Sequence, residues 1–392
     1  MKPLEGIRVL DLGRFVSAPF CGMLLADMGA EVIKIEKPGL GEETRSVGPF
    51  MNGESLYVPT FNRNKKGITL QTRSKEGISL LKALIGKADV LIENFRPGTM
   101  GKMGLNYECV KEINPRLIMA SISGYGQTGP DAAKPAFDPV AQAAGGLYAI
   151  TGTKDSGPLG TGTVIADLTT GLYTAFAILA ALVGREKTGT GTYIDIAMTD
   201  CMVSFLHTYV ANYAANGIAQ APHGNRDPLS APADCYQTRD GYVVMHAGDD
   251  KPFRLLKELI GDARMEDARF DTHQGRIDYQ EELERYVQEW FRGKTAKEAE
   301  TLLCEKGIIA AMVNDIPHLL NSRQLQARGA FVDLEVPGAG TCTFQASPIH
   351  FSDIPVTYHR APTVGEHNPE IYESLLGLGA AELQELQKNG VI

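Results

Sequence analysis

The chain of 392 residues contains none of the short motifs that mark the commonest nucleotide and hydrolase chemistries. No G-x-G-x-x-G follows a strand pattern, and G-x-x-x-x-G-K-[ST], G-x-S-x-G and H-E-x-x-H are all missing. Nicotinamide-linked, nucleotide-hydrolysing, serine-hydrolase and zinc-protease functions therefore lose their main support. The six cysteines, Cys21, Cys109, Cys201, Cys235, Cys304 and Cys342, stand singly, with no C-x-x-C and no histidine at ligand spacing. Neither structural zinc nor a disulfide framework is expected from such a pattern. The first residues, MKPLEGIRVLDL, lack the basic and apolar regions of a signal peptide, and the longest apolar run, around Ala175–Val183, is short of the ~20 residues that span a bilayer. These two absences lead us to expect a soluble, cytoplasmic protein with no membrane partner.

The charge that is present is unevenly spread. The net charge of −9 argues against nucleic-acid partners, yet residues 1–102 hold 15 Lys and Arg against 11 Asp and Glu, leaving −13 for the remainder. An anionic ligand would find its partners in the first hundred residues. With 43% hydrophobic residues and no repeat or low-complexity tract, the chain can bury the cores of about two domains.

Ile7–Leu12, Glu31–Glu36, Asp89–Phe95 and Arg116–Ser121 read as short strands, with helical patterns such as Cys21–Met28 and Gly77–Lys87 between them. This alternation predicts an α/β fold, a doubly wound parallel sheet with helices on both faces. Another strand at Tyr193–Ala197 and a long helix from about Thr199 to Asn216 complete a large domain over 1–216. Residues 217–232, GIAQAPHGNRDPLSAP, read as a linker into a smaller α/β domain over 233–312, and 313–392 as a segment returning to the large domain. Doubly wound sheets bind ligands beyond the carboxyl ends of their strands, so the loops after Leu12, Glu36, Phe95 and Ser121 are the ones of interest.

One segment stands out, residues 164–198, VIADLTTGLYTAFAILAALVGREKTGTGTYIDIAM. It places a lone carboxylate, Asp167, at the head of a helix whose next fifteen residues, Leu168–Leu182, carry no charge. Asp at a helix head is ordinarily a cap, its oxygen taking an orphan backbone N–H. It is also where a carboxylate can act as a reagent, and the segment alone leaves both roles open.

Taken together, GIRVLDLGRFVSAPFCGMLLADMGAEVIKIEKPG, NRNKKGITL, ADVLIENFRPG, NPRLIMASISGYGQTGP, FDPVAQAAGGL and the Asp167 segment closely resemble the family III (CaiB/BaiF) coenzyme A transferases. The similarity continues in order through Gly224–Asn225, LQARGAF at Leu325–Phe331 and VGEHN at Val364–Asn368. The resemblance implies a Rossmann-like large domain built from both chain ends, a smaller domain between them and an interlocked homodimer. It implies coenzyme A and acyl-CoA as substrates with no permanently bound cofactor, a small carboxylic acid as acceptor, and Asp167 as the nucleophile. An unperturbed Asp, with a pKa of about 3.9, is ionised at pH 7 and needs no base to attack a thioester.

The family's CoA contacts fall here on Val16, Ser17, Lys37, Leu70, Arg73, Asn94, Phe95, Arg96, Lys102, Lys134 and Phe137. The related α-methylacyl-CoA racemases move a proton with a histidine in an A-G-H-D motif. Here the motif reads Pro135-Ala136-Phe137-Asp138, and Phe carries no proton. Transfer is therefore preferred over racemisation, and over a non-catalytic CoA-binding protein, which would not need Asp167. In place of the glycine run of formyl-CoA transferases stand His246-Ala247-Gly248-Asp249-Asp250-Lys251, so His246 and Gly248 are candidates for a substrate loop.

Overall fold

Six short strands of the computed structural model, which describes residues 2–392, form one wholly parallel sheet. They are β1 (Arg8–Asp11), β2 (Glu31–Glu36), β3 (Lys66–Thr69), β4 (Val90–Glu93), β5 (Ile118–Ser123) and β6 (Tyr193–Ala197), in the spatial order β6-β5-β4-β1-β2-β3. Read from the other edge this is the order 3-2-1-4-5-6 of doubly wound nucleotide-binding sheets, with its switch point between β1 and β4. Both faces are covered, which explains the nearly continuous apolar runs in β4 and β5. Val9, Val90, Ile92, Ile118 and Ile122 meet α1 (Ser17–Asp27) and α4 (Ile165–Thr188) on one side. Leu10, Ile33, Leu91 and Met119 meet α2 (Lys75–Ile85) and the C-terminal helices on the other.

Two helices frame the strand ends that matter below, α3 (Asp138–Ala144) and α4, the latter followed after β6 by α5 (Met198–Val203) and α6 (Tyr209–Asn216). The single helix expected from about Thr199 to Asn216 is therefore two. They are separated at 204–208, where His207 adopts the left-handed φ of 50°. The strand Lys66–Thr69, KGIT, holds a lysine and a glycine among its four residues and so shows no apolar run in the sequence. At 24 residues α4 is, by length and composition, long and apolar enough to cross a membrane, contrary to the length expected of it. Its Ala166, Thr170, Thr174, Ile178 and Leu182 face the core, and the threonine hydroxyls return to carbonyls one turn back (Thr170 to Ala166, 2.6 Å; Thr174 to Thr170, 2.7 Å). Those bonds let polar residues sit in a buried helix at little cost.

A second compact unit comprises Ala149–Leu159 and Ala219–Leu325, while Gly160–Ile218 and Gln326–Ile392 go with the first. Residues 219–232 are thus bound into the second unit, Gly224 N–H donating to Gly152 O at 2.7 Å, and 313–325 stay with it. Its three antiparallel strands, β7 (Ala233–Gln237), β8 (Tyr242–His246) and β9 (Ile309–Met312), pack on α7 (Asp250–Ile260), α8 (Gln280–Arg292) and α9 (Ala296–Glu305). In the first unit the returning chain forms a hairpin, β10 (Phe331–Val336) and β11 (Gly340–Gln345), then α10 (Asn368–Leu376) and α11 (Ala380–Lys388). The start of α10 blunts the exposed edge of β3: Asn368 Oδ1 accepts from Thr69 N–H (2.8 Å) and His367 Nδ1 from Gly67 N–H (3.1 Å).

Beneath the loop after β1 lies a buried charge cluster. Lys65 Nζ donates to Asp11 Oδ2 (2.7 Å), Asn62 Oδ1 (2.9 Å) and Pro19 O (2.7 Å), and both ionic side chains are wholly sequestered. Lys34 on β2 donates to Glu42 (2.9 Å) and to Gly13 O. Burial works against the charge on Asp11, but Lys65 and Lys34 outweigh it and hold the carboxyl below its ordinary range. Breaking such a pair strands an uncompensated charge, at about 3–5 kcal/mol. Lys65→Met should therefore lower the urea midpoint sharply, and adding Asp11→Asn should recover part of the loss. A Lys65→Met protein as stable as the wild type would remove this cluster from the account of the fold.

Candidate active site

The carboxyl ends of β1 and β4 are tied together by one side chain. Asn94 Oδ1 accepts the Arg14 N–H (2.8 Å), while its Nδ2 donates to Arg14 O (2.8 Å) and lies 3.2 Å from Ser17 Oγ. Gly13 has no room for a Cβ, which would fall 2.3 Å from that of Ala18, and its N–H bonds to Asp11 Oδ1 at 2.8 Å. Two residues on, Phe15 adopts a left-handed φ of 60°, an uncommon state for a bulky residue, with its ring against that of Phe137, 5.8 Å away. On the β4 side Phe95 N–H donates to Glu93 Oε2 (2.7 Å), and the Arg14 guanidinium lies 5.2 Å over the Phe95 ring. Glu93 is itself buried, which pushes its pKa up to about 7.

Asp167 lies in the first turn of α4, whose free N–H groups go to other acceptors, Ile165 to Thr163 O (2.9 Å) and Leu168 to Val164 O (3.1 Å). The cap is supplied from elsewhere: Asp138 Oδ1 accepts the N–H groups of Ala166 (2.7 Å) and Asp167 (3.1 Å). The ordinary explanation of an acid at this position is thereby removed. Close approach of α4 to α1 requires Gly171, where a Cβ would stand 2.7 Å from Ser17 O. Asp167 consequently reaches the start of α1 and lines a cleft of about 270 Å³ with Arg14, Phe15, Ser17, Asn94, Arg96, Lys134 and Phe137. Burial, and then the charge of Asp138, push its pKa up to about 7, against a smaller opposing pull from the Ser17 hydroxyl and N–H. The expectation that Asp167 is fully ionised at neutral pH is corrected accordingly: near pH 7 only about half of it is.

Most of the residues singled out from the sequence gather here. Ser17, Asn94, Phe95, Arg96, Lys134 and Phe137 line the Asp167 cleft. Arg73 and Lys102 line an adjoining cleft of about 800 Å³, which shares Arg14, Phe95 and Arg96 with the first. Lys37 and the buried Leu70 line a third, small one that again shares Arg14 and Phe95. Val16 is the exception, being 2% exposed, so that Phe15 takes the place expected of it. Lys37 and Lys134 are already paired, with Glu43 (3.3 Å) and Asp131 (2.8 Å). In contrast Arg73, Lys75, Arg96 and Lys102 form no ion pair among the described residues. Arg14, Lys75 and Asp138 were not singled out beforehand. Arg14 was legible as the one cation in the switch-point loop GRFVSAPF.

His246 and Gly248 belong to the second unit. His246 Nε2 is 3.7 Å from Asp227 Oδ2, and Gly248 is required by packing, since a Cβ would meet Ser230 Oγ at 1.9 Å. Asp250 begins α7, with Asp249 at its N-cap position.

Two neighbouring carboxylates, Asp167 and Asp138, beside an array of unpaired cations at the switch point of a doubly wound sheet make a site suited to an anionic ligand. The particular family follows from comparison. The chain belongs to CoA-transferase family III, whose family model matches residues 4–368, and it is an enzyme of that type. It is 37% identical over 395 residues to succinyl-CoA–D-citramalate CoA-transferase of Chloroflexus aurantiacus, covering 100% of this chain and 98% of the relative. It is 34% identical to succinyl-CoA:glutarate CoA-transferase of Mus musculus, covering 100% and 91%. A crystal structure of a CaiB/BaiF family protein from Brucella suis superposes with a TM-score of 0.87 at 35% identity, over 95% of this chain and 99% of that one.

The raised pKa of Asp167 has a stability consequence. Its native value of about 7 exceeds the unfolded value of 3.8, so the folded state loses stability as pH rises from about 4 to about 7 and no more above that. Asp167→Asn should abolish this loss: the variant should match the wild type near pH 4 and exceed it at pH 8 by roughly 2–4 kcal/mol. Equal denaturation midpoints at pH 8 would show that Asp167 is not strained by its surroundings.

Proposed function

We propose that this enzyme moves coenzyme A from an acyl-CoA thioester to a free carboxylic acid through a thioester formed on Asp167. The carrying observation is that Asp167, released from capping by Asp138, presents its carboxylate to a cation-lined cleft. Ionised Asp167 attacks the thioester carbonyl, the C–S bond breaks, and CoA thiolate leaves an acyl-aspartyl anhydride. The thiolate then attacks the Asp167 carbonyl carbon, expelling the donor's carboxylate and leaving aspartyl-CoA. The acceptor carboxylate repeats these steps in reverse. No external base is consumed, and backbone N–H groups around the cleft are the available oxyanion donors. A carboxylate with a pKa near 7 is a better nucleophile once ionised than one near 4, at the cost of being half protonated at neutral pH.

In this reading Arg73, Lys75, Arg96 and Lys102 take the phosphates of CoA, and the Phe15–Phe137 pair shelters the approach to Asp167. Phe137, 68% exposed and without a titratable proton, disfavours racemisation. The names of the relatives support succinyl-CoA as donor and a short dicarboxylic acid as acceptor. A homodimer is proposed on the exposed apolar residues Leu172, Phe176, Phe205, Val210 and Tyr213 of α4, α6 and the segment between α5 and α6, which a second copy would cover.

Two measurements test this. Incubation with a panel of acyl-CoAs, then hydroxylamine and peptide mass spectrometry, should place a CoA-sized adduct or hydroxamate on Asp167, most readily with succinyl-CoA. The adduct should be absent in Asp167→Ala; transfer persisting in that variant would refute the nucleophile. In sedimentation, the wild type should run as a dimer and Phe176→Glu as a monomer or aggregate, whereas a monomeric wild type would overturn the oligomer.

A further inference from the structure

The steps proposed above make no use of Asp138, although it is a carboxylate 3% exposed and placed within hydrogen-bond reach of the reacting helix. Its Oδ2 accepts from Gln142 Nε2 (2.5 Å), and Gln142 Oε1 in turn accepts from Thr161 N–H (3.1 Å). A continuous relay, Thr161–Gln142–Asp138–Ala166/Asp167, thus clamps the chain on either side of the turn into α4. The position of Asp138 is fixed from behind as well, because Gly124 meets Ala136 so closely that a Cβ would lie 2.4 Å away.

We infer that Asp138 is a positioning residue: by accepting the Ala166 and Asp167 N–H groups it satisfies the head of α4, so that the Asp167 carboxylate is left facing the cleft. The inference rests on Asp167 being the nucleophile. The two carboxylates compete for the same donors. The first-turn N–H groups of a helix must find acceptors, and without Asp138 the acceptor at hand is the Asp167 carboxylate. A carboxylate engaged with its own helix is withdrawn from a thioester. The electrostatic part has the same geometry, since two acids share one desolvated helix end and the second ionises less readily beside the first. The other groups facing Asp167 are Ser17 from α1 and Tyr57 from the short helix Tyr57–Asn62, with Arg14, Arg96 and Lys134 lining the same cleft.

The two roles separate in two variants. Asp138→Asn keeps an oxygen for the N–H groups but removes the charge, so the pH at half-maximal kcat/KM should fall by at least about half a unit, with kcat at pH 8.5 reduced roughly two- to fivefold. Asp138→Ala removes both, and kcat should drop about tenfold or more at every pH while the KM for acyl-CoA changes less than about threefold. Hydroxylamine trapping on the same samples keeps the two levels apart. No adduct on wild-type Asp167 refutes the proposed function itself. An adduct on Asp167 with the pH midpoint of Asp138→Asn unmoved overturns the present inference alone, and assigns the limb to another group such as Glu93, whose pKa is also near 7. If Asp138→Ala fails to fold, the pH midpoint of Asp138→Asn decides.

Discussion

The ion pair between Lys65 and Asp11 is the constraint from which the site is built. Both groups are removed from water, and Lys65 is satisfied on three sides. Asp11 in turn gives its second oxygen to Gly13 N–H, and Lys34 grips the Gly13 carbonyl from the neighbouring strand. A loop held at both the N–H and the C=O of one residue has little freedom, and Arg14, Phe15 and Ser17, which follow, line the cleft. Ionic groups are an expensive way to hold a core together. Their use here fits a loop that must keep Phe15 in an unfavourable backbone conformation, which a purely apolar core would not enforce.

The head of α4 shows a second conflict between folding and chemistry. A helix in need of an acceptor, with an acid in its first turn, would settle most simply by letting that acid cap it. The chain instead brings Asp138 from 29 residues away to do so. The result is two carboxylates at one desolvated place, which costs stability and raises the proton affinity of Asp167. That cost has a use if the carboxylate must attack: basicity and nucleophilicity rise together, and burial excludes the water that would hydrolyse an activated intermediate.

Much of this was legible in the sequence. Alternating short apolar runs and helical patterns gave the doubly wound sheet, and the ordered motifs led to the residues of the cleft. What failed did so for identifiable reasons. An anionic ligand was expected to find its partners among the cations of the first hundred residues, but those of NRNKKGITL are scaffold: Arg63 binds Asp27 (2.6 Å), Lys65 binds Asp11 (2.7 Å) and Lys66 binds Glu31 (2.8 Å). A lysine-rich run looks solvated in a sequence because its buried acids lie on other strands. The exchange of Val16 for Phe15 follows from a one-residue reversal of direction at a positive φ, which no side-chain pattern announces. The role of Asp138 depends on a contact between segments far apart in the chain, and its effect on Asp167 depends on burial, so neither could be derived from local spacing.

On the proposed function, the clefts divide the work of binding and reaction between different elements. The unpaired cations belong to the loop and helix after β3 and to the segment after β4, whereas Asp167 comes from α4 and Phe137 from the turn into α3. Only Arg14, Phe95 and Arg96 line both of the larger clefts, and they sit on the two loops that Asn94 stitches together. For a substrate whose charge is far from its reacting carbon, as it is in an acyl-CoA, this is a consequential arrangement. Binding energy gained at the phosphates can hold the thioester against Asp167 only if the two loops between them do not yield. In the proposed mechanism the stiffness of the loop pair, and therefore the buried charges beneath it, links the place where the ligand would be held to the place where its bond would be broken.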